Sequence, residues 1–128
     1  MKREAELQFI KYCTKNNLEK VQAYLTLAED LEFDLNAVDH IGATGAHWAA
    51  KAGHTEVIRL LAATGLVDWN KRDSNGWTPL HLALLHVNLE VAEIILEQDD
   101  VDLTDLTNGG STLALAAKLK NFLYLTKP

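Results

Sequence analysis

A motif that recurs every 34 positions is the feature that most constrains how this chain can fold. The segment DSNGWTPLHLAL (73–84) aligns 34 positions upstream with DHIGATGAHWAA (39–50), and Asp, Gly, Thr, His and Ala coincide. The same shift downstream reaches TNGGSTLALAAK (107–118), and a weaker copy, NNLEKVQAYL (16–25), lies near the start. A unit of this length cannot bury an apolar face alone, so the units are expected to stack on one another.

Each unit is predicted to contain a turn, a short helix, a tight turn and a second helix. Thr78 is a good N-cap, Pro79 then falls at the first helical position, and His81 falls at the third, where a capping-box side chain reaches back to the cap. His81 is therefore interpreted as a structural residue. In the second helix of each unit the apolar residues recur at helical spacing, which predicts one buried face per helix.

The stretch from Asp73 to Ala83 resembles the marker sequence of the ankyrin-repeat family, including its Thr-Pro-Leu-His core. The resemblance implies one all-α domain over residues 1–128, a solenoid of three to four stacked helix-turn-helix units joined by hairpin loops. The expected units are an N-terminal degenerate or capping repeat (5–38), two repeats (39–72 and 73–106) and a truncated or C-terminal capping repeat (107–128). The chain departs from the family pattern at Gly45 and Ala46, which replace Pro-Leu and should loosen that helix start. It also departs at Val87, where the family usually has glycine.

Charge and residue types limit the function classes. The net charge of −6 disfavours a general nucleic-acid or anionic-membrane binder. One cysteine, Cys13, cannot form a disulfide framework and is predicted to be a buried residue, which favours a reducing compartment, cytoplasm or nucleus. His40, His47 and His54 are predicted to lie in a hairpin, in a helix and beyond its end, so we expect no metal site. No catalytic motif is present, and we expect no cofactor and no enzymatic activity.

Recognition of a protein partner is the stronger hypothesis. In this family the hairpin tips and the exposed face of the first helices line a concave groove. The partner-binding positions that the resemblance implies are His40, Ile41, Trp48, Lys51, Ser74, Asn75, Trp77, Leu82, Leu85, His86, Asn108 and Leu119. Apolar groups at Trp48, Leu82 and Leu85, flanked by lysines, predict a partner with apolar anchors and some acidic residues. The alternative is that neighbouring helices cover Trp48 and Leu85; Trp69 is predicted to lie in the core.

The sequence thus favours a non-enzymatic protein–protein interaction module, an adaptor or scaffold. The alternative is a regulatory or substrate-recruiting domain excised from a larger enzyme or signalling protein. We expect a monomer, with self-association through the apolar face as a further hypothesis, and neither membrane nor nucleic acid as partner.

Overall fold

The computed structural model describes residues 2–31, 33–98 and 101. This part of the chain contains six α-helices. In chain order they are α1 (Lys2–Thr14), α2 (Leu18–Leu31), α3 (Gly45–Ala52), α4 (Thr55–Thr64), α5 (Pro79–Leu85) and α6 (Leu89–Leu96). The first helices α1, α3 and α5 pack side by side in one layer, and α2, α4 and α6 pack against them in a second. No strand occurs within these residues, and the predicted all-α stack of helix pairs is confirmed.

The starts of α3 and α5 are built by the same pair of side chains. Thr44 and Thr78 are the N-caps, and each hydroxyl accepts a hydrogen bond from the amide of the histidine three residues later. In return, Nδ1 of His81 accepts the Thr78 amide at 3.0 Å, and Nδ1 of His47 accepts the Thr44 amide at 3.2 Å. The predicted structural role of His81 is therefore confirmed.

Gly45 occupies the first position of α3 without weakening its cap. The Thr44–His47 capping box is complete even though the proline found in α5 is missing here. A Cβ at Gly45 would lie 2.8 Å from Sγ of Cys13, which is fully buried on α1. The glycine therefore allows α1 to approach α3 closely, a reason for its presence that the sequence alone does not reveal.

The hairpins before α3 and α5 are organised by aspartates. Oδ1 of Asp73 accepts the amides of Asn75 and Trp77, both at 2.9 Å, and Asp39 does the same for its own hairpin. Ser74 joins the two hairpins, because its amide and its hydroxyl both donate to the carbonyl of Ile41, at 3.0 and 2.7 Å. The tips are consequently held in fixed register.

The core lies between the two helical layers. Its largest fully buried side chains include Phe9, Val21, Ile58, Leu61, Leu80 and Ile95. Trp69 is also buried, as predicted, and so is Cys13, where burial raises the pKa of the thiol to about 12. None of the described helices is both long enough and apolar enough to cross a membrane.

Candidate partner-binding groove

A groove runs between α3 and α5 below the two hairpin tips. It encloses a cavity of about 220 Å³, and its wall includes Ile41, Trp48, Lys51, Trp77 and Leu85. A second depression of about 310 Å³ lies on the other side of Trp48, towards α1. Trp48 is therefore the wall that the two depressions share.

The Trp48 side chain is held in place by an aspartate. Its indole N–H donates to Oδ2 of Asp39 at 2.7 Å, and Nζ of Lys51 lies 5.4 Å from the ring centroid. Burial alone would raise the pKa of Asp39, but the hydrogen bonds from Trp48 and from the Ala43 and Ile41 amides outweigh it and lower the pKa. An ionised Asp39 thus fixes the ring, so the aromatic surface is pre-oriented for contact.

A buried histidine supports the floor of the groove. Nε2 of His47 donates to the carbonyl of Trp77 at 2.9 Å, which joins α3 to the next hairpin. Burial lowers the pKa of His47 below its ordinary value. Because Nδ1 accepts from Thr44, the neutral ring carries its proton on Nε2.

Most of the predicted positions that fall in the described residues lie at the groove. The depression between α3 and α5 is lined by Ile41, Trp48, Lys51, Asn75, Trp77, Leu82, Leu85 and His86, and His40 lines the one beside α1. Ser74 is exposed at the hairpin tip, where it bonds Ile41. Asn108 and Leu119 lie outside the described residues.

The expected exposure is correct for one leucine and wrong for another. Leu85 is 48% exposed, whereas Leu82 is only 9% exposed and contributes just an edge to the groove wall. The reason is packing, since α3 and α6 both pack against α5. Trp48 is half-buried, so the alternative that its neighbours cover it holds only in part.

Two contributions to the site were missed from the sequence. Leu7 and Ile10 line the depression beside α1, and Asp39 orients Trp48. In the sequence, Asp39 recurs as Asp73 in the next hairpin. This recurrence predicts that the aspartate stabilises the hairpin turn, but it does not predict the contact with Trp48. The contact with an indole nine residues away depends on the path of the hairpin over α3.

The charge of the first helices is opposite to that of the whole chain. The stretches 7–17, 45–54 and 79–88 contain Lys11, Lys15 and Lys51 and no aspartate or glutamate. All three lysines border one or the other depression. Asp39 and Asp73 from the hairpins also line these depressions, so the concave face carries three lysines against two aspartates on an acidic protein.

The histidines do not form a metal site in the described part of the chain, where no cluster of three or more potential ligands occurs. His40 lies in a hairpin, His47 in α3 and His54 at the N-cap of α4. His54 instead bonds the carbonyl of Thr14 at 3.0 Å.

Comparison with known proteins agrees with this architecture. The family profile described as "Ankyrin repeats (3 copies)" matches residues 9–107. The chain belongs to the ankyrin-repeat family. Ankyrin repeats generally serve as protein–protein interaction modules.

Several curated proteins contain a similar ankyrin region. The chain is 35% identical over 80 residues to an ankyrin repeat-containing protein of Schizosaccharomyces pombe, covering 61% of this chain and 34% of the relative. It is 34% identical over 107 residues to a Danio rerio protein that carries the name of a palmitoyltransferase, covering 80% and 15%. It is 42% identical over 71 residues to protein phosphatase 1 regulatory subunit 12A of Mus musculus, covering 56% and 7%. The chain thus corresponds to between 7% and 34% of the length of these relatives.

Proposed function

We propose that this ankyrin domain is a non-enzymatic interaction module, an adaptor or scaffold that binds a partner protein through its concave groove and hairpin tips. The observation that carries the proposal is Trp48, a large aromatic side chain held by Asp39 between two depressions. A rigid aromatic group at the centre of a groove is the usual anchor of a protein interface. Binding through this groove needs no chemistry from the protein, and the hydrogen bond that holds Trp48 supports the proposal because a fixed side chain loses little conformational entropy on binding.

The partner is proposed to carry an apolar anchor next to acidic residues. The exposed Leu85 and the Trp48 ring offer an apolar contact, and Lys51 beside them offers a positive charge. The lysines also disfavour a basic partner. The groove positions Asn108 and Leu119 and the division into repeats 5–38, 39–72, 73–106 and 107–128 remain part of this proposal.

A second candidate is a regulatory or substrate-recruiting ankyrin domain within a larger enzyme or signalling protein. It is favoured by the small share of the relatives that the chain covers, and by the names of two of them, a phosphatase regulatory subunit and a palmitoyltransferase. The binding surface is the same in both proposals. We propose a cytoplasmic or nuclear location for either, in keeping with the unpaired, buried Cys13.

A pull-down from a lysate tests the groove. The wild-type chain is compared with a Trp48→Glu/Leu85→Glu double variant, and a Leu27→Glu/Leu89→Glu variant serves as the control with the same added charge on other surfaces. Circular dichroism first establishes that all three are folded. Proteins retained by the wild type and the control, and lost by the groove variant, are expected; equal retention on all three would remove the groove as the working site.

A further inference from the structure

A cleft on the back of the molecule, away from the groove, has an apolar floor. It lies between α2 and α4, has a volume of about 550 Å³, and is lined by Leu25, Ala28, Phe33, Ala63 and Leu66 among others. A neighbouring depression of about 400 Å³ shares Leu25 and Ala63 with it. The small side chains of Ala28 and Ala63 leave the space between the two helices open.

Leu66 stands at the rim of this cleft with 64% of its surface exposed. Its amide donates to Oγ1 of Thr64 at 3.1 Å, and its carbonyl accepts Nδ2 of Asn36 at 3.0 Å. The same asparagine accepts the amide of Asp68 at 2.7 Å, and Gly65 caps α4 with a φ of 68°. A large apolar side chain is therefore presented to solvent by a loop that hydrogen bonds hold in place.

The repeats differ at this position. Phe33 and Val67 are buried equivalents, each followed by an aspartate whose Oδ1 accepts the amide two residues on. The residue just before them is Glu32 in one unit and Leu66 in the next, and the register of 34 places Asp100 in the third. Leucine thus replaces the carboxylate that both neighbouring repeats have.

The charge around the cleft is negative. The described residues that line the cleft include no lysine or arginine. Asp34 lines the cleft and Asp68 lies two residues beyond Leu66. Arg59, on α4, is paired with Glu56 and Glu90. An apolar floor with an acidic rim is complementary to a cationic, amphipathic ligand and repels an acidic one.

We propose that this back cleft, defined by Leu25, Phe33, Ala63 and Leu66, is a second docking site, and that its occupant is a peptide segment of another protein carrying a large apolar residue flanked by lysine or arginine. The two faces then select partners of opposite charge, acidic in the groove and basic in the cleft. Such a domain can hold two different proteins at once, which the groove alone does not provide.

The test uses random dodecapeptides displayed on phage. They are selected on the immobilised full chain after depletion on a Leu66→Asp variant, which installs the residue type of the third repeat at an exposed position. The expected peptides combine a leucine or aromatic residue with adjacent lysine or arginine. Their dissociation constants rise at least tenfold on Leu66→Asp and are unchanged on Leu89→Asp, a control leucine that is 46% exposed on α6.

A second variant isolates the charge. Asp34→Asn/Asp68→Asn keeps the acceptor oxygens that hold the turns and removes both charges, so it is expected to weaken binding severalfold at low salt and little at high salt. The Trp48→Glu/Leu85→Glu groove variant should bind these peptides as the wild type does. The proposal is overturned if no selected peptide depends on Leu66, or if the dependent peptides are acidic or uncharged. It is equally overturned if light scattering shows a dimer that Leu66→Asp dissociates, because the occupant would then be a second copy.

Discussion

Val87 and Gly53 occupy the same position in successive repeats and adopt the same backbone conformation, with φ values of 56° and 77°. The left-handed region is favourable for glycine, whereas a β-branched side chain there is strained. Asn16 takes this conformation in the first turn between helices, with a φ of 57°. Packing of the repeats thus keeps the turn geometry, and Val87 adopts it although glycine would suit this conformation better.

Replacing Val87 by glycine is predicted to stabilise the domain. Relief of the left-handed strain, about 1–2 kcal/mol, exceeds the added backbone entropy of glycine, so the free energy of unfolding should rise by about 0.5–1 kcal/mol. The Val87 side chain is 69% exposed, so little packing is lost. Urea unfolding measures the effect, with Val87→Ala, which keeps a Cβ, as a control expected to gain less. An unchanged or lower midpoint for Val87→Gly would contradict the strain at this turn.

Stability is predicted to fall in mild acid because of His47. Its pKa is lowered in the folded state, chiefly by burial, so the unfolded chain binds a proton at a higher pH than the folded one does. The stability that neutral His47 contributes is fully present above the unfolded-state pKa of about 6.5. As the pH falls from there towards the folded-state pKa, the free energy of unfolding decreases by up to about 1.4 kcal/mol per pH unit.

Denaturant unfolding at about pH 7.5 and about pH 5.5 measures this loss. A His47→Gln variant keeps an acceptor for the Thr44 amide and cannot titrate, so its stability should fall less over the same interval. Equal slopes for the two proteins would show that His47 is not held neutral by the fold.

At the scale of the element, α5 is defined by its start. Thr78 makes both halves of the capping box with His81, and Pro79 needs no hydrogen-bond acceptor at the first position. Thr78→Ala is predicted to cost about 1 kcal/mol of unfolding free energy, while Thr78→Ser, which keeps the hydroxyl, should cost much less. Thermal and urea unfolding of the pair measure the difference. A loss of equal size in both variants would point to the buried methyl group instead of the cap.

The start of α6 is also the contact between two repeats. Nδ2 of Asn88 donates to the carbonyls of Ala50 and Lys51 at the end of α3, at 2.8 and 3.0 Å. His54 makes the equivalent contact in the preceding repeat, where it bonds the carbonyl of Thr14. The residue before each of these second helices thus donates to carbonyls at the C-terminal end of the first helix in the preceding repeat.

Asn88→Ala is therefore predicted to cost about 1 kcal/mol, and Asn88→His should retain some of that free energy because it copies the preceding repeat. Unfolding in urea compares the two variants with the wild type. If histidine is no better than alanine at this position, the two contacts are not equivalent.

At the scale of the whole molecule, the sequence predicted the helix pairs, the Thr78 cap of α5, and the buried Trp69 and Cys13, whereas the start of α3, expected to be loosened, has a complete capping box. The helix pairs and the Thr78 cap depend on contacts within one unit, which the residue types and their spacing determine. The burial of Leu82 and the closeness of Gly45 to Cys13 depend on how neighbouring units approach each other. The distance between neighbouring units is set by packing across the whole stack, and no residue pattern within a single unit predicts it.

For the candidate site, too, the sequence predicted positions within each unit but not the contacts between elements. The groove positions followed from the family resemblance, but the bond from Trp48 to Asp39 and the depression beside α1 required three-dimensional placement. The back cleft could not be predicted, since it arises where α2 and α4 leave space between small side chains. Only its rim, Leu66 in place of a carboxylate, is visible in the repeat alignment.

The most direct test of the central claim is photo-crosslinking from two leucines of nearly equal exposure. Benzoylphenylalanine replaces Leu85, which is 48% exposed in the groove, or Leu89, which is 46% exposed at the start of α6. Both proteins are irradiated in a lysate and their adducts are identified by mass spectrometry. If the groove is the binding surface, a defined protein adduct forms from position 85 and not from position 89. Adducts from position 89 alone, or the same adducts from both, would contradict it.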